Sequence, residues 1–234
     1  MHTRLKVKQS VPTWIWSKED RTSHINLVAA EVMCQRGYAA TSMSDIADAV
    51  GLTKAGMYHY IRAKEHLLFE IMNFEMDRLE EEVLSPARKV VDAEHRLRAI
   101  LETHSRRIME QGGAVTILLE EMSALTTLHQ RAIRQRKRAY FDLVRSTLQD
   151  LVKEGKLRPV DPTVAAFSLL GMLLWTSRWY RRNAKLTPKQ ATDNLIDIAI
   201  GAVLKGHAAV PKPARQANGN RSGKARPASA GRRS

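Results

Sequence analysis

Cysteine occurs once in this chain of 234 residues, at Cys34. One thiol excludes an internal disulfide framework and any multi-cysteine metal site. Its place on an apolar helical stripe predicts a buried core group rather than a reactive one. Long apolar runs are missing too. The longest, Val164–Trp175, falls far short of the roughly 20 residues needed to span a bilayer. The first twelve residues carry Arg4, Lys6 and Lys8 without an apolar stretch, so a secretory signal is not expected. No membrane partner and a soluble, reducing, cytoplasmic setting follow as the expectation. Catalytic signatures are absent as well: no G-x-S-x-G elbow, no G-x-x-x-x-G-K-[ST] loop and no G-x-G-x-x-G. The eight histidines (2, 24, 59, 66, 95, 104, 129 and 207) include no pair at the three- or four-residue spacing that a helical metal site needs. Glu120 and Glu121 are adjacent, so a helix points them apart. Neither an enzyme nor a cofactor or metal protein is expected.

Acidic residues are missing altogether from Lys212 onward, where seven Lys or Arg stand (212, 215, 221, 224, 226, 232 and 233). They supply half of the formal net charge of +14. A charge of that size points to a polyanionic partner such as nucleic acid. The segment 208–234 and the basic residues 1–17 are too poor in large apolar groups to pack and are expected to be disordered. The tail reads as a solubilising extension or as a sequence-independent DNA tether.

What is present between the two ends is helical periodicity. Ile25, Val28, Ala29, Val32 and Met33 recur at helical spacing, with Gly37 as the stop. A longer helix is expected to start at Lys64, to carry Leu67, Leu68, Ile71, Met72 and Phe74, and to run to about Val83, ending at Ser85-Pro86. Further runs cover about 92–110, 114–125, 127–154, 162–182 and 188–205. No period-2 alternation bounded by hairpin signals appears, and no internal repeat. The fold class is all-α.

The stretch SMSDIADAVGLTKAGMYHYIRAKEHL, from Ser42 to Leu67, is the most informative. Ser42 with Asp45 three residues on makes a carboxylate variant of the capping box. Ile46, Ala47 and Val50 share a face of the helix that follows, and Gly51 ends it through a left-handed turn. Thr53 then caps a second helix, and Leu52 with Met57 forms a hydrophobic staple that fixes its entry angle. Two short helices joined at a fixed angle by a Gly turn make a helix-turn-helix. Ala55 and Gly56 leave the first turn of the second helix almost bare, so backbone can approach a groove closely. Lys54, Tyr58 and His59 can reach base edges there.

The run RGYAATSMSDIADAVGLTKAGMYHYIRAKEHLL resembles the TetR family of bacterial transcriptional repressors over residues 18–78. The resemblance implies a three-helix DNA-binding domain over 18–78, with its motif at about 42–61, and a larger helical effector-binding and dimerisation domain over 79–207. It implies DNA contacts at Ser42, Lys54, Ala55, Gly56, Tyr58, His59, Tyr60 and Lys64. Of these, Ser42 and Lys64 would hold phosphates and the others would form the recognition helix. Ile61 departs from the usual Phe of the family.

The remaining helices carry a second resemblance. The segments GMLLWTSRWYRRNAKLTPKQATDNLIDIAIGAVLKG, EEMSALTTLHQRAIRQRKRAY and EGKLRPVDPTVAAF look like the branch that responds to acyl-CoA thioesters, including regulators of fatty-acid and steroid-ring catabolism. Trp175, Arg178 and Trp179 share one helical face. Aromatic rings beside a guanidinium suit an adenine and its phosphates, although such a stripe also suits a core or a dimer interface. An acyl chain would then pack among Leu118, Met122, Leu125 and Leu174. The basic run Arg131–Tyr140 reads as the solvated face of a helix, or as a phosphate site.

These features predict a homodimeric, ligand-responsive repressor released from an inverted-repeat operator in double-stranded DNA by a small-molecule effector. The second resemblance implies an acyl-CoA thioester as that effector. Two readings of other classes stand beside it: a helical small-molecule enzyme with an incidental helix-turn-helix, and a non-specific architectural DNA binder driven by the basic tail.

Overall fold

A computed structural model describes residues 18–111, 119–181 and 185–206. The two basic ends expected to be disordered lie outside the described residues. α1 (Lys18–Arg36) buries Ile25, Ala29 and Met33 on one face and stops at Gly37, whose φ of +84° only glycine adopts without strain. α2 (Met43–Val50) begins on the Ser42–Asp45 capping box and ends at Gly51 in the left-handed conformation. α3 (Lys54–Tyr58) is a single short helix capped by Thr53, with Met57 buried beneath it. α4 (Lys64–Leu79) packs Leu67, Leu68, Ile71 and Met72 inward against α1.

The expected end of α4 at Ser85-Pro86 is corrected. The α-helix stops at Leu79 and widens into one π turn, Glu80–Leu84, in which the Ser85 N–H donates to the Glu80 carbonyl five residues back. It then resumes as α5 (Ser85–Arg88), with Pro86 in its first turn. Proline has no N–H, and its ring crowds the carbonyl one turn behind. The wider turn takes up that conflict and lets the chain run on in the same direction.

α6 (Ala93–Gln111) is the central helix, packed against α5, α7 (Thr127–Lys153), α8 (Pro162–Trp179) and α9 (Pro188–Val203). Caps written in the sequence start the last three. Thr126 accepts from the His129 N–H, Asp161 accepts from two amides ahead of Pro162, and Thr187 forms a capping box with Gln190. The helix expected over about 114–125 is not seen in its described part. Residues 119–125 form a turn and a single 3-10 turn, Met122–Ala124. One apolar core runs without a break from Ile25 in α1 to Leu204 after α9. The described residues carry one isolated extended pairing, Leu157 with Leu204. None of their helices is long and apolar enough to cross a membrane.

Candidate nucleic-acid interface and effector domain

The reading head is built on caps. The Asp45 carboxylate accepts from the Ser42 N–H at 2.8 Å and from the Ser42 hydroxyl at 2.6 Å, and the Ser42 oxygen accepts from the Asp45 N–H at 3.1 Å. Arg36 closes the cluster with a 2.6 Å ion pair to Asp45. The Ser42 hydroxyl, followed by the Ser42 N–H, holds the Asp45 carboxyl below the usual carboxylate range. Ser42, expected on a phosphate, therefore has its hydroxyl committed to the cap, and the exposed cation beside it is Arg36.

Thr53 Oγ1 accepts from the Gly56 N–H at 3.0 Å. A Cβ on Gly56 would stand 3.1 Å from that oxygen, so a side chain there would crowd the cap itself. Lys54, Ala55, Tyr58 and His59 are exposed together on the outer side of α3, with Met57 fixing the inner side. This is the face expected to read DNA.

Two residues placed in that set do other work. Tyr60 is half-buried against the core, and its hydroxyl accepts from Arg21 at 3.0 Å. The Lys64 ammonium donates to the carbonyls of Tyr38, Ala39 and Thr41 at 2.9, 3.3 and 2.9 Å and lies 4.5 Å from the Tyr38 ring centroid. An ammonium has three protons, and all three are used on the α1–α2 turn. Lys64 thus fastens that turn to α4 in this conformation and does not extend toward a phosphate.

Three polar clamps join α4 to the larger domain. At its start, Glu65 accepts from the Thr126 N–H and pairs with His129 Nδ1, each at 2.8 Å, and the His129 ring stacks on Phe69 at 3.8 Å. Burial opposes the charge on Glu65, but the hydrogen bonds from Thr126 and His129 outweigh it and hold the carboxyl below its ordinary value. At mid-helix, Arg136 donates to the Asn73 side chain and to Asp77, both at 2.6 Å. At the far end, Arg107 of α6 bridges Glu75, at 2.8 Å, and Glu82 of the π turn.

The residues expected at the effector site are not gathered into one place. Leu125 is buried in the main core and Met122 packs partly against it. Leu174, Trp175 and Trp179 face outward from α8, and Leu118 lies outside the described residues. Val164, Phe167, Trp175 and Trp179 make an exposed apolar stripe along α8, with Phe167 at 64% and Trp175 at 65% exposure, and Ile198 of α9 is exposed as well. Arg178 pairs with Glu120 and acts electrostatically on Cys34 of α1. It therefore sits where the larger domain meets the head. Cys34 is half-buried rather than fully buried, and burial raises its thiol pKa, which disfavours the thiolate.

Sequence reasoning missed the polar interior of the larger domain. His104 Nδ1 and the Tyr140 hydroxyl share a buried hydrogen bond of 2.7 Å. Nearby on α6, Ser105 stands 3.4 Å from the Thr192 hydroxyl, which donates to Met109 Sδ. Burial, and secondarily the Arg107 charge, push His104 down to about 3, and burial pushes the Tyr140 hydroxyl far up. Both groups are neutral at pH 7. The available signal was periodicity: His104 falls in register with Leu97, Ile100, Leu101 and Ile108 on the apolar face of α6.

Known proteins share this construction. Residues 26–71 match the family described as bacterial regulatory proteins, tetR family, and residues 90–203 match the tetracyclin repressor-like C-terminal domain. The HTH-type transcriptional repressor KstR2 of Rhodococcus jostii (strain RHA1) is 26% identical over 192 residues, covering 81% of this chain and 94% of the relative. The solved structure of AibR in complex with isovaleryl coenzyme A and operator DNA is 40% identical, with a TM-score of 0.70 over 76% of this chain and 97% of AibR. PfmR, a TetR family transcriptional regulator from Thermus thermophilus, is 28% identical, with a TM-score of 0.69 over 76% of this chain and 97% of its own. With its head and its larger domain both matched, the chain belongs to the tetR family of bacterial regulatory proteins.

Proposed function

We propose that this chain is a cytoplasmic, homodimeric transcriptional repressor that leaves an inverted-repeat operator when an acyl-CoA thioester binds its larger domain. It acts as a regulator, not an enzyme. One observation carries the reading: Lys54, Tyr58 and His59 stand exposed on α3, while α4 behind them is clamped at three levels to the domain that would hold the ligand. The likeness to AibR, solved with isovaleryl coenzyme A and operator DNA, supports the acyl-CoA class and the operator.

In this reading the apolar stripe of α8, with Trp175 and Trp179, packs against a second copy and sets the two recognition helices on successive major grooves. Arg178, at the junction with the head, meets the anionic end of the effector in place of Glu120. The acyl chain enters near Leu118, Met122, Leu125 and Leu174. His104 and Tyr140 offer the neutral polar pair that a thioester carbonyl can join. A ligand releases DNA only by favouring the conformation in which the heads are misplaced, and the clamps on α4 are the contacts that transmit this. Selection of duplexes from a random pool, followed by calorimetry with a panel of acyl-CoA thioesters, tests both halves. Recovery of an inverted repeat supports the repressor, while recovery of unrelated sequences contradicts it. Absence of thioester binding sinks the effector class alone.

A further inference from the structure

A cleft of about 360 Å3 opens between α1 and α4, away from the interior of the larger domain. Ser23 and Asn26 of α1 line it on one side, and Glu70, Asn73, Phe74 and Asp77 of α4 on the other. Its volume is at the small end of those that hold organic ligands. In a chain of net charge +14, the ionisable side chains lining this cleft are both carboxylates. Asn26 is 4% exposed, yet its Oδ1 has no hydrogen-bond partner among the described residues. A buried carbonyl left unpaired is costly, and it calls for a donor.

The chemistry of that donor follows from the spacing. Glu70 and Asp77 are seven residues apart, so they share a face of α4 roughly 10.5 Å apart along its axis. Two carboxylates at that distance cannot converge on one metal ion, whose oxygen ligands lie within about 2.6 Å. They can receive two cationic ends of one extended molecule. Asp77 already pairs with Arg136 at 2.6 Å, but a carboxylate offers about four lone-pair sites and can accept again. Glu70 stands 3.9 Å from His66. Phe74 lies between the two acids in sequence. Its ring already accepts one cation, Arg78, at 5.9 Å, and it offers apolar surface for a methylene chain.

We propose that this cleft binds an aliphatic polyamine, with ammonium groups at Glu70 and Asp77, an N–H donated to Asn26 Oδ1, and the methylenes against Phe74. Such a ligand would tie the first helix of the reading head to α4. The site is separate from any effector pocket, and its test needs neither DNA nor thioester, so its outcome is independent of the repressor reading.

The full-length dimer is titrated with spermidine by calorimetry and by thermal unfolding, with magnesium chloride at matched ionic strength as the control. The expected result is saturable binding of one spermidine per protomer, a raised unfolding temperature and no such response to magnesium. Glu70→Gln, at a partly exposed position, weakens binding by about tenfold or more, the loss of one charge-assisted contact. Asn26→Leu also weakens it, and without spermidine unfolds no earlier than the parent, because an unpaired buried carbonyl has been removed. Heat that never saturates at millimolar spermidine overturns the proposal. So does an equal response to magnesium, or unchanged affinity in Glu70→Gln.

Discussion

Arg107 on α6 donates to Glu75 on α4 across 2.8 Å with only 5% of the arginine exposed. The same guanidinium pairs with Glu82 in the π turn, so one buried cation holds both the shaft of α4 and its widened end. Removing one partner of a buried pair costs about 3–5 kcal/mol, because the other charge is left without compensation. Here Glu82 is partly exposed, so the low end of that range applies. Arg107→Ala is therefore expected to lower unfolding stability by about 3 kcal/mol at pH 7, as measured by urea denaturation. Arg107→Lys recovers only part of this, because a single ammonium lacks the fork that reaches two carboxylates.

His104 makes the stability depend on pH in a window far from any carboxylate. Its folded pKa is lowered from 6.5 to about 3, first by burial and then by the Arg107 charge. Below pH 6.5 the unfolded chain binds a proton that the folded chain refuses, so stability falls as pH falls. The loss between pH 7.0 and 5.5 is about 1.4 kcal/mol. In His104→Gln that part of the decline should vanish, read as the difference between parent and variant in urea unfolding at the two pH values. An unchanged slope would place the proton elsewhere.

Recognition and anchoring separate at α3 and α4. Tyr58→Phe and His59→Ala should each cost about 1–3 kcal/mol on the operator and little on random duplex. Lys64→Met should instead destabilise the head by about 1.5–3 kcal/mol, since three carbonyls lose a charged donor. The salt dependence of DNA binding by the folded variant should be unchanged. A phosphate contact at Lys64 would lower that slope by about 1. Anisotropy titrations over a range of salt decide between them.

The stripe on α8 gives a prediction about assembly. Phe167 and Trp175 are 64% and 65% exposed in the protomer, so Phe167→Asp or Trp175→Asp leaves the protomer core intact. In a dimer seam the introduced carboxylate is desolvated. Sedimentation velocity at micromolar concentration should show a dimer for the parent and a monomer for the variants.

The reading head was legible in the sequence because its signals are local. Ser42 and Asp45, Gly51, and Thr53 with Gly56 act over three residues or fewer, and each took the expected conformation. Lys64 and Tyr60 were misplaced because their partners, Tyr38 and Arg21, lie 26 and 39 residues away. Only the packing of α1 against α4 brings them together. Pro86 read as a terminator because a proline at the end of an apolar run usually is one, whereas a π turn here let the helix resume. In the larger domain, Trp175, Arg178 and Trp179 do share a helical face, as their spacing requires. Periodicity cannot say whether that face meets the core, a ligand or a second copy. The folded protomer leaves Trp175 and Trp179 outside.

The central claim is that a thioester in the larger domain releases the heads from DNA. Swinging the population from about 99:1 to 1:99 takes a ligand preference of roughly 5.5 kcal/mol for the released state. The most direct measurement is the anisotropy of a labelled operator held by the dimer, titrated with isovaleryl-CoA and longer acyl-CoA thioesters, with binding followed in parallel by calorimetry. The account predicts that at least one thioester returns the anisotropy to that of free DNA at micromolar concentration. It also predicts that Arg178→Ala keeps operator affinity while losing this release. Calorimetric saturation by a thioester with the operator still bound would contradict it, as would a failure of every thioester to bind below high micromolar concentration.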